Sequence, residues 1–436
     1  GHARLTKKIT ICLASIICCL SFVAIGVLAS VTKLELNIDN SAYYYATAFN
    51  KNGDDEFMLT SYNDLVLMSE LVNSNALIPD TNIYYRDAKY LLTSDIDPVQ
   101  EQINAGVSEQ TAKSGTYPLN PIGTNSTSSF RGEFNGNGHT ISNITITLTS
   151  GGCYGGLFGY TEGATISGVG IGTPEDIADN GTYTAPKTCT YNFDLSGKTI
   201  TIAGFGGIVG FASASANQTT NKLTEITECY NYADITISGN WDYSGSGTNG
   251  TGVSGIAGIT AGATIKNCYN TGNLVANSFM GCIYAGISCQ FTPNADRVNN
   301  CYNIGSFTDK SEENIINLYY SLVASIQQKT TTATDGNALY TIGASGVTQS
   351  GENSQFTCYE CYKPATTVKY SMLIDSMAGE DCLAATTGMS GLQNQIDGKD
   401  VWHATKNTSQ MFKFPQLAIF EKHHTSAEEQ TQITNK

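Results

Sequence analysis

Apolar and polar residues alternate along most of the chain, and glycine or asparagine closes each alternating stretch. A period of two places successive side chains on opposite faces of a strand, so the pattern predicts many short strands joined by tight corners. Near the start, Val31-Thr32-Lys33-Leu34-Glu35-Leu36-Asn37-Ile38 alternates in this way and predicts a strand. The period then changes. Leu65, Met68, Leu71 and Val72 share one face of a helix that runs to Ala76, and Pro79 stops it. Ser61 and Asp64 have the spacing of a capping box at its start. Tyr90 to Asp97 predicts a further strand, with Asp95 and Asp97 on one face.

The N-terminal segment has a different character. Arg4, Lys7 and Lys8 precede an uncharged run of 20 residues, Ile9 to Leu28. As a helix this run is roughly 30 Å long, about the thickness of a bilayer core. Val27-Leu28-Ala29-Ser30 offers a cleavage site after Ala29. The segment therefore reads as a cleaved export signal, as an anchor touching the membrane through residues 9–28, or as a helix buried in a filament. Each reading sends the rest of the chain outside the cytoplasm.

From about residue 120 the sequence repeats. A Gly-apolar-Gly cluster appears as Gly155-Gly156-Leu157-Phe158-Gly159, as Gly206-Gly207-Ile208-Val209-Gly210, as Gly255-Ile256-Ala257-Gly258 and, degraded, as Tyr284-Ala285-Gly286-Ile287. A second element reads Cys229-Tyr230-Asn231, Cys268-Tyr269-Asn270 and Cys301-Tyr302-Asn303, with spacings of 39 and 33 residues. Repeats of this length with short strands predict stacked units, each burying its apolar face against the next. Gly156, Gly159, Gly207, Gly210, Gly255 and Gly258 are read as structural corner residues, with glycine supplying positive φ. Cys229, Cys268 and Cys301 are read as an inward ladder in which cysteine acts as a small hydrophobe.

These clusters resemble the GLUG-repeat family of bacterial surface proteins. The flanks are similar too: the helix from Leu65 to Val72, the segment from Phe130 to His139, and Trp402 followed by Phe414-Pro415-Gln416-Leu417. The resemblance covers roughly residues 60 to 420, although the copies after residue 310 are poorly preserved. It implies an all-β fold, a right-handed parallel β-helix or solenoid with an N-terminal capping helix, preceded here by the hydrophobic N-terminal helix. It also implies adhesin-like work with no catalytic role for the repeats. The chain then divides into residues 1–29, the signal or membrane or filament helix; 30–60, an N-terminal strand region; 61–420, the solenoid with its helical cap; and 421–436, a polar tail.

Composition narrows the choice of partner. Only 14% of residues are charged and the net charge is −15, which disfavours nucleic acid, whose binding needs a basic stripe. Of 13 cysteines, ten lie beyond the leader, and an exported chain could oxidise them. Cys282 and Cys289 are the pair best placed for a disulfide across a loop. Cys358 and Cys361 have redox or zinc spacing, but Cys382 is the only further cysteine near them, so a local disulfide or two packed thiols is the better reading. His139 and His403 lie in turns and are read as structural. His423 and His424 lack a second ligand pair for a metal. Asp95 with Asp97, or Glu175 with Asp179, could hold calcium, but solvated loop acids are the simpler reading. No cofactor is expected.

Trp241-Asp242-Tyr243, in a long Gly/Ser-rich loop, is the best candidate for exposed ligand contact by ring stacking, against a plainer role in which the Trp anchors its own loop. The expectation is a secreted or cell-surface protein that adheres to a host or environmental glycan or protein. The alternatives are a subunit that self-associates into filaments through its N-terminal helix, and a polysaccharide-active enzyme on the same scaffold.

Overall fold

The repeat spacing is the length of one coil. Thr224–Thr227 leads through Tyr230–Asn231 to Ile235–Gly239, then Gly250–Ser254 and Ala257–Ala261, and the chain returns at Ala263–Lys266 beside its starting strand. The computed structural model describes residues 49–174, 176–177, 181–215, 222–244, 250–291, 296–299, 301–303, 305–312, 315, 317–320, 322–325, 358–359, 372–373, 401–403 and 416–421. Among them the protein is mainly β, with several parallel sheets stacked in register, an arrangement consistent with a parallel β-helix.

Four walls result. The first runs Glu56–Leu59, Lys89–Leu92, Glu133–Ile141, Thr165–Ile171, Thr224–Thr227, Ala263–Lys266, Arg297–Asn299 and Cys358–Tyr359, all parallel. The second contains Tyr191–Asp194, Ile235–Gly239, Leu274–Ser278 and Phe307–Asp309. The third runs from Tyr154–Gly155 to Met372–Leu373, and the fourth from Phe158–Glu162 to Val323–Ser325. Asn50–Lys51 pairs antiparallel with Glu56–Leu59 and covers the open edge of the first wall, where an unpaired strand would invite association.

One motif builds three columns. In each Cys-Tyr-Asn copy the cysteine is buried in the main core. The tyrosines Tyr230, Tyr269 and Tyr302 face the other way and stack with centroids 5.0 and 4.9 Å apart and interplanar angles of 10° and 8°. The asparagines are buried and linked: Asn231 Nδ2 donates to Asn270 Oδ1 at 2.9 Å, and Asn270 Nδ2 to Asn303 Oδ1 at 2.9 Å. Asn231 Nδ2 also donates to Ala233 O, and Asn270 Nδ2 to Gly272 O, so the corner carbonyls are satisfied as well.

The repeat glycines have a different role from the one expected. None of the six adopts positive φ; that conformation falls on Glu228 and Asn267, just before Cys229 and Cys268, and on Gly239 and Gly262. The six are glycine because a neighbouring backbone, or at Gly255 the buried Asn270 side chain, stands where a Cβ would be. A Cβ on Gly207 would lie 2.4 Å from Gly255 O, on Gly255 2.2 Å from the Asn270 side chain, and on Gly258 2.3 Å from Phe205 N. Gly156, Gly159 and Gly210 are equally crowded, each with a backbone atom within 2.7 Å of the Cβ position. The third and fourth walls thus fold against each other on their outer side. The bend residues Leu157, Ile208, Ile256 and Ile287 point into the main core, while Phe211, Ile259, Ile283 and Leu318 fill a second, smaller core in the wedge between the walls.

The N-terminal helix α1 (Tyr62–Asn73) caps the stack. Its capping box is complete: Asp64 N donates to Ser61 Oγ, and Asp64 Oδ2 accepts from Ser61 N. Leu65, Met68, Leu71 and Val72 are buried as the periodicity requires, but the helix ends at Asn73, before the expected Ala76. Two short helices, α2 (Pro98–Asn104) and α3 (Glu109–Ser114), follow where no helix was expected. Near the C-terminus Trp402–His403 pairs antiparallel with Gln416–Leu417, and α4 (Ala418–Glu421) follows. This segment lies over the tyrosine column. The Trp402 ring is 6.0 Å from Tyr269 and 5.6 Å from Tyr302, Phe420 meets Tyr230 edge-on at 4.8 Å, and Trp402 Nε1 donates to Asn267 Oδ1. Among the described residues no helix is long and apolar enough to cross a membrane. Residues 1–29 and the strand expected at Val31–Ile38 lie outside those residues.

Replacing Asn270 by Ala should destabilise the protein by about 1–3 kcal/mol, because it strips both a neighbouring amide and the Gly272 carbonyl of partners. Chemical unfolding should show a smaller loss for Asn231→Ala, which breaks the column at its end rather than its middle.

Candidate ligand-contact face

The second wall turns a regular polar face outward. Its inward side chains, Tyr191, Phe193, Ile235, Ile237, Leu274, Ala276 and Phe307, are buried. The intervening positions point away from the core and stand in register: Asn192, Thr236, Val275 and Thr308 form one row, and Asp194, Ser238 and Asn277 the next. Neighbouring strands repeat at about 4.8 Å, so the second row offers carboxylate, hydroxyl and amide groups at that interval, while the first offers an amide and two hydroxyls interrupted by Val275. Asn192, Asp194 and Asn277 are exposed. Two residues beyond Asn277, Phe279 is 55% exposed, and its N–H donates to Gly239 O at 3.0 Å, which holds its backbone at the edge of the face. The Asp194 carboxylate accepts from Ser196 Oγ at 2.6 Å and Ser196 N at 2.9 Å, and these bonds hold its carboxyl below the usual range. The face therefore combines an open aromatic ring with fixed polar groups and an ionised carboxylate.

The residues singled out from the sequence lie beside this face but are arranged differently. Trp241 is buried at 3% exposure and packs into the main core, so it anchors its loop and is not open for stacking. Its bulk and apolar ring favour the interior once the loop folds back. Asp242 is exposed and pairs with Thr199; Tyr243 is half-buried and pairs with Ile200. Phe279 was missed, although the alternation from Leu274 onward places it on the outward side.

The acids after the first-wall strand Lys89–Leu92 do not share a strand face. Asp95 accepts from Thr140 N at 3.0 Å and lies 3.0 Å from His139 Nδ1, which ties the turn to the first wall. Asp97 is the N-cap of α2, accepting from Val99 N and Gln100 N. It also accepts from Asn143 Nδ2 and pairs with Lys187 Nζ, both at 2.8 Å, so one carboxylate joins the helical cap, a corner of the repeats and the insert before residue 190. Glu101 accepts from Tyr62 N at the start of α1. Burial, and beyond it the neighbouring Asp97 and Asp64 charges, push its carboxyl up to about 7.

Cys282 and Cys289 are not bonded to each other: Cys282 Sγ donates to Met280 O and Cys289 Sγ approaches Ser254 Oγ at 3.4 Å. Cys229, Cys268 and Cys301 form the inward column described above. Glu175, Asp179, Cys361, Cys382, His423 and His424 lie outside the described residues, as does Phe414-Pro415. Among the described residues no group of three or more metal-ligating side chains converges.

No family model matches the sequence, and no curated protein matches it. A solved structure of similar shape is that of a candidate immunoglobulin A1 protease from Bacteroides ovatus. It aligns over 85% of this chain and 94% of that one, with a TM-score of 0.47 and 15% identical residues.

The raised Glu101 group gives the cap a pH dependence. Its folded-state pKa lies above the ordinary value, so the protonated form contributes stability that is complete below about pH 4.5 and is lost as pH rises through about 7. Because the group is half-buried, the change should be about 1–3 kcal/mol. Urea unfolding followed from pH 4 to 8 should show this decline, and Glu101→Gln should flatten it.

Proposed function

We propose that this chain is an exported surface protein, a right-handed parallel β-helix of the GLUG-repeat kind, that works by contact: an adhesin-like module whose second-wall face binds glycan. The observation that carries this reading is Phe279, an apolar ring left open to solvent beside a register-locked row of Asp194, Ser238 and Asn277. A sugar ring presents an apolar C–H face and a rim of hydroxyls. An exposed aromatic ring takes the first by stacking, and fixed amide, hydroxyl and carboxylate groups take the second. The spacing between strands repeats along the coil axis, which suits an extended chain of similar units better than one small molecule.

Charge favours the same class of partner. At a net charge of −15 a neutral glycan meets no long-range repulsion, whereas a polyanion does. A rigid face also suits adhesion. The side chains beneath it are buried and its two middle strands, Ile235–Gly239 and Leu274–Ser278, are paired on both sides, so little conformational entropy is lost on binding.

The test is binding to a panel of immobilised neutral polysaccharides, read by biolayer interferometry. Phe279→Ala should weaken binding at least tenfold, and Asn277→Ala several-fold, while the unfolding free energy of Phe279→Ala stays within about 0.5 kcal/mol of the parent because the ring is mostly exposed. Undiminished glycan binding by Phe279→Ala would remove this face from the reading. Release of reducing sugar would move the protein to the enzyme class, and binding to a protein ligand alone would retain adhesion but not the glycan.

A further inference from the structure

Each Cys-Tyr-Asn copy turns its cysteine inward, and Cys229, Cys268 and Cys301 are all fully buried. The tyrosines that follow them are register partners, Tyr230 with Tyr269 and Tyr269 with Tyr302. Successive cysteines therefore stand one strand spacing apart, about 4.8 Å. A disulfide accepts Cα atoms about 4.4–6.8 Å apart. The Cβ atoms of in-register neighbours stand at much the same spacing, slightly beyond the usual limit of about 4.5 Å, so adjoining coils need only close by a few tenths of an ångström. The thiols already face one another: Cys268 is within hydrogen-bonding reach of both Cys229 and Cys301. Each also leans on backbone carbonyls, Cys229 on Thr227 O, Cys268 on Lys266 O and Ile226 O, and Cys301 on Ile265 O, so the column is uniformly oriented.

We propose that this column is a modification site, in which Cys268 forms one disulfide, with either Cys229 or Cys301, when the protein folds in an oxidising compartment. Cys268 is shared, so the two pairings exclude each other and one thiol is always left over. In the finished fold the column is closed to reagents, and burial pushes the Cys268 thiol well above its ordinary range, which makes it a poor nucleophile there. The bond therefore forms while the coils dock. The Cys268 thiolate attacks a small disulfide such as oxidised glutathione, forming a mixed disulfide and releasing one glutathione thiolate. The neighbouring cysteine, its proton passed to solvent, then attacks the Cys268 sulfur and expels the second glutathione. Two cysteine thiols lose two protons and two electrons, and the glutathione disulfide is reduced to two thiols. This inference is independent of the ligand-contact face.

The experiment is to refold the full chain from the reduced, denatured state in a glutathione redox buffer. Once circular dichroism confirms the fold, it is denatured in the presence of N-ethylmaleimide and digested with trypsin. Cleavage after Lys222, Lys266, Arg297 and Lys310 places Cys229, Cys268 and Cys301 on three different peptides. The expected result is peptide 267–297 joined to peptide 223–266 or to peptide 298–310, with fragmentation locating the bond at Cys268. In Cys229→Ala all of the pairing should move to Cys301. Folded protein in which all three cysteines carry N-ethylmaleimide would overturn the proposal, and so would Cys268 bonded to a cysteine outside the column.

Discussion

The structure rests on in-register parallel pairing between successive coils. Each residue of a coil meets its own equivalent in the next, Thr227 above Lys266, Tyr230 above Tyr269, Ile237 above Ala276 and Val253 above Tyr284. A register slip by one residue would turn every inward side chain out, so the apolar alternation of the walls and the buried columns enforce the same alignment. The asparagine column is the most exacting of these constraints. Its amides satisfy one another and the corner carbonyls, and a buried amide without its neighbour loses that compensation.

Much of this order was legible in the sequence because a stacked repeat writes the same instruction several times. The 39- and 33-residue spacings of the Cys-Tyr-Asn copies are the register offsets themselves. The Ser61–Asp64 spacing marked the start of α1. The glycines were placed correctly but for the wrong reason. Their spacing shows that a side chain is forbidden, whereas only the folded walls show that a facing backbone or, at Gly255, the Asn270 side chain forbids it, rather than an unusual φ.

What was not legible depended on tertiary context. The helices α2 and α3 are too short to carry a readable period, and they hold their places through Asp97 and Ser108 as caps. Asp95 and Asp97 looked like two residues of a strand, but Asp97 turns away to start α2, with Pro98 favouring the helix start. For the contact face, composition pointed to Trp241, the large aromatic in a polar loop. The fold buries that ring and leaves Phe279 outside, because the loop returns to the core while the strand end after Ser278 does not. Alternation carried this information; the attraction of a Trp in a loop concealed it.

The strap made by Trp402–His403 and Gln416–Glu421 differs in kind from everything beneath it. Neighbouring coils recruit one another across tens of residues, 33 or 39 in the tyrosine column, so the stack can grow as the chain appears. The strap joins Trp402 to Asn267 and Phe420 to Tyr230, closures far longer than one coil. A chain emerging from its N-terminal end can therefore complete the coils that carry Tyr230, Tyr269 and Tyr302 well before the residues that cover them exist. During that interval a flat, stacked aromatic strip lies open to any neighbouring chain. Crowding during synthesis then exposes this molecule to misassembly, and the time needed to make the intervening stretch sets how long the exposure lasts.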